Sequence, residues 1–185
     1  MAPGKNISVN QLVDQFRFID KSGLVNKALH SIHDFVERII TEPLCTSQVF
    51  GSAALDDLCQ RIGEKTLSQA GGSAANKKQQ APTFVYIVTK LQNSGGHTRV
   101  IEDFIAAQPE SPHILLATGL AGRSDANYLL DGLGQQMSIS FEQAEGDYQQ
   151  RLIWLQQRLQ MINVKKVYLF NHHQDSVAVA AIQPA

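Results

Sequence analysis

Two short polar runs carry residue types that do chemistry: Gly95-Gly96-His97-Thr98-Arg99 and Asn171-His172-His173-Gln174-Asp175-Ser176. In the first, glycine at two positions lets the backbone approach a ligand closely and permits positive φ. A helix opening at such a turn adds free N–H groups and the positive end of its dipole. Arg99 adds a forked donor suited to phosphate or carboxylate. Gly95, Gly96, His97 and Arg99 are therefore candidate substrate- or phosphate-binding residues. The same run also reads as a plain strand-to-helix turn, with Ser94 or Thr98 as the helix cap. It is not the dinucleotide fingerprint, because G-x-G-x-x-G is absent and the second strand runs into Thr118-Gly119 without a terminal acid.

In the second run, two imidazoles and a carboxylate can transfer protons, bind a metal or hydrogen-bond a sugar. His172, His173 and Asp175 are the candidate catalytic residues. Adjacent side chains on an extended segment point to opposite sides, so His172 and His173 do not readily chelate one ion. No metal is assigned. The competing reading is a polar loop in which Asp175 or Ser176 caps the last helix. Gly119–Asp125 reads more simply as a connector than as a binding loop. Glu142 and Glu145 read as solvated, and His30 and His33 as packing or surface residues.

The elements that must position these runs follow from periodicity. Phe84–Lys90 is a continuous apolar run, the mark of a strand buried on both faces. His113–Thr118 is a second such strand, Ser138–Phe141 a short third and Val167–Asn171 a fourth. Helices are expected over Thr98–Ala107, Asp147–Ile162 and from Ser176 to Ile182. Trp154 lies off the apolar stripe of its helix and is expected against N-terminal helices or a further region. Strands alternating with helices imply right-handed crossovers and a mainly parallel sheet. Both candidate runs then fall at its carboxyl edge, where open α/β sheets bind ligands.

Before this unit, residues 1–70 read as helical, with apolar residues at helical spacing around Leu12, Phe16, Leu29, Ile32 and Val36. A third short helix is expected to end at Gly63. Residues 71–81 are small and polar and read as a flexible linker. The fold class is thus α/β: a Rossmann-like parallel sheet with flanking helices over residues 82–185, preceded by an N-terminal α-helical segment.

The chain has 185 residues, 43% hydrophobic, with 16 Lys plus Arg against 17 Asp plus Glu. That is enough apolar material for a core, and a net charge of −1 argues against nucleic acid as a partner. Cys45 and Cys59 make neither a disulfide framework nor a metal pair. No signal peptide or membrane-length apolar run is visible, so the expected location is cytoplasmic.

KLQNSGGHTRVIEDF followed by ILLATG resembles the start of a GT-B glycosyltransferase of the retaining group 1 (family 4-like) type. VYLFNHHQDSVAVAAIQP resembles the fourth strand of the same lobe and the polar segment after it. The resemblance covers residues 82–185 and leaves the N-terminal helices without a counterpart. It implies an acceptor-side lobe that faces a nucleotide-sugar-binding lobe across a cleft. Gly95 and Gly96 would line that cleft, with His172, His173 and Asp175 near the reacting sugar and Arg99 a weaker candidate. It further implies transfer from a nucleotide-sugar to a glycan, lipid or protein acceptor, without a cofactor. The C-terminal lobe is missing, so the chain is expected to be an N-terminal fragment that does not transfer a sugar alone. The resemblance also admits peripheral membrane association of the full-length protein; the N-terminal helical segment is separately a candidate surface for homo-oligomers. Two other readings remain: a non-catalytic binding or interaction module, and a DHH-type phosphoesterase suggested by His172 to Asp175, whose further ligands the sequence does not supply.

Overall fold

Strands apolar at every position need cover on both faces. Two such segments and two with exposed polar positions form one parallel sheet in the order β3-β2-β1-β4. They are β1 (Thr83–Val88), β2 (His113–Ala117), β3 (Ile139–Gln143) and β4 (Val164–Phe170). The structure is a computed structural model and describes residues 8–17, 23–43, 51–71, 80–93, 95–134 and 137–182. The fold is α/β and Rossmann-like, as the alternation implies.

Seven helices occur among the described residues: α1 (Val9–Gln15), α2 (Leu24–Thr41), α3 (Ala53–Ala70), α4 (Gly96–Ala106), α5 (Asn127–Leu133), α6 (Tyr148–Met161) and α7 (Ser176–Ala181). Phe84, Tyr86, Val88, Leu115 and Ala117 point to one face of the sheet, against Ile101 and Ile105 of α4 and Leu129 of α5. Val85, Ile87, Ile114 and Leu116 point to the other, against Leu152 and Leu155 of α6 and Val177 and Ala178 of α7. The period of two along each strand divides the core into these two layers.

The N-terminal helices do not form a core of their own. Leu12, Phe16, Leu29, Ile32, Leu58 and Ile62 belong to the same buried cluster as Val85, Leu152 and Val177. Trp154 packs against that cluster, where its place off the apolar stripe put it. Ser176 Oγ donates to Leu29 O at 2.8 Å, and Gln156 Nε2 donates to Gly63 O at 2.8 Å. Of the expected linker, residues 72–79 lie outside the described residues.

Several expectations need correction. The third helix does not stop at Gly63 but runs to Ala70 and ends at Gly71, in the left-handed region at φ +50°. Gly63 is buried under α6, so tertiary contact overrides its weak helix propensity. Strand β4 starts at Val164 rather than Val167, because parallel pairing to β1 takes in Val164 and Lys166, with a register shift that skips Lys165. Helix α5 was not anticipated; its seven residues are too few for a clear helical period. Glu142 is not solvated past a strand: it lies within β3 and pairs with Arg158.

Candidate functional site

Strand β1 ends at the centre of the sheet, and its neighbours β2 and β4 connect onward over opposite faces. The carboxyl ends of β1 and β4 therefore bound a crevice at the point where the strand order reverses. Helix α4 opens there. Gly95 is its N-cap, at φ −91°, with no side-chain cap bond. Neither Gly95 nor Gly96 has a positive φ, so left-handed backbone is not why glycine stands there. A Cβ on Gly96 would meet nothing within 4 Å, and one on Gly95 would make only ordinary contacts. The first turn of α4 is thus held open by side chains that are missing rather than by strain.

Thr98 is not the cap either. It is buried, and its hydroxyl donates to Gln92 O at 2.6 Å, closing the β1–α4 loop on itself. Arg99 is turned along the helix, donating to Glu102 at 2.7 Å. The Glu102 carboxylate raises its pKa further, and the guanidinium does not reach into the crevice as a free fork. Ser94 lies outside the described residues.

The β4–α7 segment divides its candidate residues among three places. His172 faces the crevice, its ring 6.4 Å from that of His97, and His97 lies 5.9 Å from the Phe170 ring. His173 turns the other way, onto a groove of about 240 Å³ lined by Ile32, Val36, Leu55 and Cys59. Burial pushes the Cys59 thiol up to about 12, with Asp56 adding to the shift. Asp175 reaches neither space. It is fully buried, and Oδ2 accepts from Thr89 and Thr118 hydroxyls, both at 2.6 Å. Its Oδ1 accepts from Ala178 N at 2.9 Å, capping α7. Thr89 Oγ1 in turn accepts from His172 N at 2.8 Å. Asp175 is therefore a positioning residue that ties β1, β2 and α7 together and sets the height of His172.

The β2/β3 half of the edge is built differently. Arg151 of α6 donates to Thr118 O, to Ala144 O at 3.1 Å and to Gly146 O at 2.7 Å. Gly119, at φ +70°, passes so close that a Cβ would stand 2.6 Å from Arg151 Nη1. The loop after β2 is stitched to the loop after β1 by Leu91 N to Ser124 Oγ at 3.0 Å and Asn93 Nδ2 to Asp125 Oδ2 at 2.9 Å. Between this loop and the end of β3 lies an open cleft of about 810 Å³ bordered by Arg123, Asn127, Phe141 and Glu145.

No family model, curated protein or solved structure matches the chain. Among the described residues no group of three or more His, Cys, Asp and Glu side chains is disposed to hold a metal. No described helix is long and apolar enough to cross a membrane. His30 and His33 are packing residues: their rings flank Tyr148 edge-on at 5.2 and 5.5 Å.

Four residues that the sequence did not single out shape the edge. Thr89 and Thr118 carried a signal, a hydroxyl directly after each of two apolar strands. Lys90 carried one too, a cation closing the β1 run. It is half-buried beside Gly122, and no ion pair to it occurs among the described residues. Arg151 carried none, since an arginine on the polar side of an amphipathic helix is ordinary.

Proposed function

We propose that the chain is the acceptor-side lobe of a glycosyltransferase, working opposite a lobe that holds a nucleotide-sugar. One observation carries the reading: His97 at the start of α4 and His172 after β4 lie 6.4 Å apart at the switch point. The two motifs of the glycosyltransferase resemblance supply those two residues, although 75 positions separate them in the chain.

In this reading the acceptor hydroxyl sits between His97 and His172. The α4 N-terminal amides and the Lys90 ammonium supply positive potential where a diphosphate leaves. The hydroxyl oxygen bonds to the anomeric carbon, and the bond from that carbon to the diphosphate breaks with its electron pair leaving on phosphate. The hydroxyl proton passes to an imidazole or to the departing phosphate. Asp175 takes no part in proton transfer; it holds the backbone that presents His172.

The test is a titration followed by NMR. Nucleotide-sugars and short glycans should shift signals of residues 95–97 and His172, and Gly96→Trp should abolish the shifts without lowering the melting temperature. Unmoved signals across both ligand classes would reject the reading. A second reading, a non-catalytic binding module, is favoured by the burial of Asp175, which leaves the crevice without a candidate carboxylate. Ligand shifts that persist when the complete protein shows no transfer would select it.

A further inference from the structure

The cleft between the β2–α5 loop and the end of β3 has no role in the reading above. Its volume of about 810 Å³ lies in the range of small-ligand clefts, roughly 300–1,000 Å³. A single sugar ring would fill only part of it. Its polar border contains groups the fold does not use. Arg123 and Glu145 form no ion pair among the described residues, and the Asn127 side chain makes no hydrogen bond there. Asp125, by contrast, is spent on Asn93 and on Asn127 N, and Gln143 Oε1 on Ser124 N. The unused set is a guanidinium, an amide and a carboxylate, offering both donors and acceptors in planar groups.

Charge narrows the ligand. Asp125 and Glu145 set two negative charges against Arg123 in the cleft and Lys90 beside Gly122 at its border, so no surplus of positive charge remains. That balance disfavours an anion such as a nucleotide or a uronic acid. A hydroxyl both donates and accepts, so a neutral polyol satisfies all three unused groups at once. Leu130 and Phe141, each partly buried, add apolar surface against which the C–H side of a sugar ring can lie.

We propose that this cleft binds a neutral oligosaccharide, holding sugar units of the acceptor beyond the one that reacts. The inference rests on the acceptor-lobe reading and narrows its acceptor to a glycan longer than one residue. The two bonds from the β1–α4 loop to Ser124 and Asp125 fix the loop that borders the cleft beside the loop that borders the crevice.

The test titrates the whole chain with maltotriose, chitotriose and xylotriose, with a glucuronic acid trisaccharide, and separately with UDP-sugars. At least one neutral trisaccharide should shift the signals of Ser124, Asn127 and Gln143. Arg123→Ala and Asn127→Ala should each weaken it about tenfold. Both residues lie at the surface, so folding is not at stake, and Lys27→Ala on the far layer serves as the unaffected control. A cleft silent to all neutral trisaccharides, or one that prefers the uronic acid or the nucleotide, overturns the proposal. UDP-sugar shifts confined to residues 95–97 with a silent cleft would sink this inference alone; silence at both places would sink the glycosyltransferase reading with it.

Discussion

The two halves of the carboxyl edge are fastened by groups of opposite charge from different origins. On the β1/β4 side the fastener is an anion, Asp175, which belongs to the candidate segment itself and receives an amide of α7 and the hydroxyls that end β1 and β2. On the β2/β3 side it is a cation, Arg151, which reaches over from α6 and donates to main-chain carbonyls. The difference separates stability from binding in one half and merges them in the other. Where the fastener sits three residues from His172, the site cannot loosen without the core loosening. Where it comes from another helix, Arg123, Asn127 and Glu145 stay free.

Removing the anion should have the largest effect. Asp175→Ala strands two buried hydroxyls and uncaps α7, and should cost about 3–5 kcal/mol in urea unfolding. A loss under about 1 kcal/mol would mean the network is not the hub described here. Arg151→Met should cost about 2 kcal/mol, because Arg151 itself is only half-buried where Asp175 is fully buried. It should disturb the cleft and leave the signals of residues 95–97 in place. If both variants perturb the whole edge alike, the division into halves fails.

Glycines sharpen the same contrast on a smaller scale. Gly119→Ala must strain a left-handed residue against Arg151, costing about 1–2 kcal/mol by thermal melting. Gly96→Ala should change stability by less than about 0.5 kcal/mol, since its Cβ points into open space. Equal costs would show that Gly96 also answers a demand of the fold.

Alkaline pH probes the helical layer through Cys59, beside the contributions of Tyr86 on β1 and Tyr148 on α6, whose pKa values burial also raises. The Cys59 thiol ionises near 9 when unfolded and near 12 when folded. The unfolded chain therefore sheds its proton first, and stability falls as pH rises from about 9 toward about 12. Below pH 9 this contribution is fully present. Cys59→Ala should flatten the alkaline slope in pH-dependent urea midpoints; an unchanged slope would place the titration elsewhere.

The sheet was legible because Phe84–Val88 and His113–Ala117 are apolar without interruption, which only a doubly covered strand requires. That His97 and His172 would share an edge followed from the order of elements. The fate of Asp175 did not follow. A polar hexapeptide reads the same whether its acid faces solvent or two threonines, and those partners are 86 and 57 residues away. Arg99 misled for a local reason, since Glu102 three residues on claims it first. The cleft was invisible because its borders come from a loop and a short helix with no periodic signal.

The bond from Ser176 to Leu29 closes the structure across 147 positions. Helix α2 precedes in the chain the helices α6 and α7 that cover its apolar face. Until α6 and α7 arrive, Leu29 and Ile32 have only the other N-terminal helices to bury against. The apolar face of the N-terminal helices is therefore covered only once those later elements dock. Reaching the native state should then depend on the docking of α6 and α7 rather than on any step within the N-terminal helices.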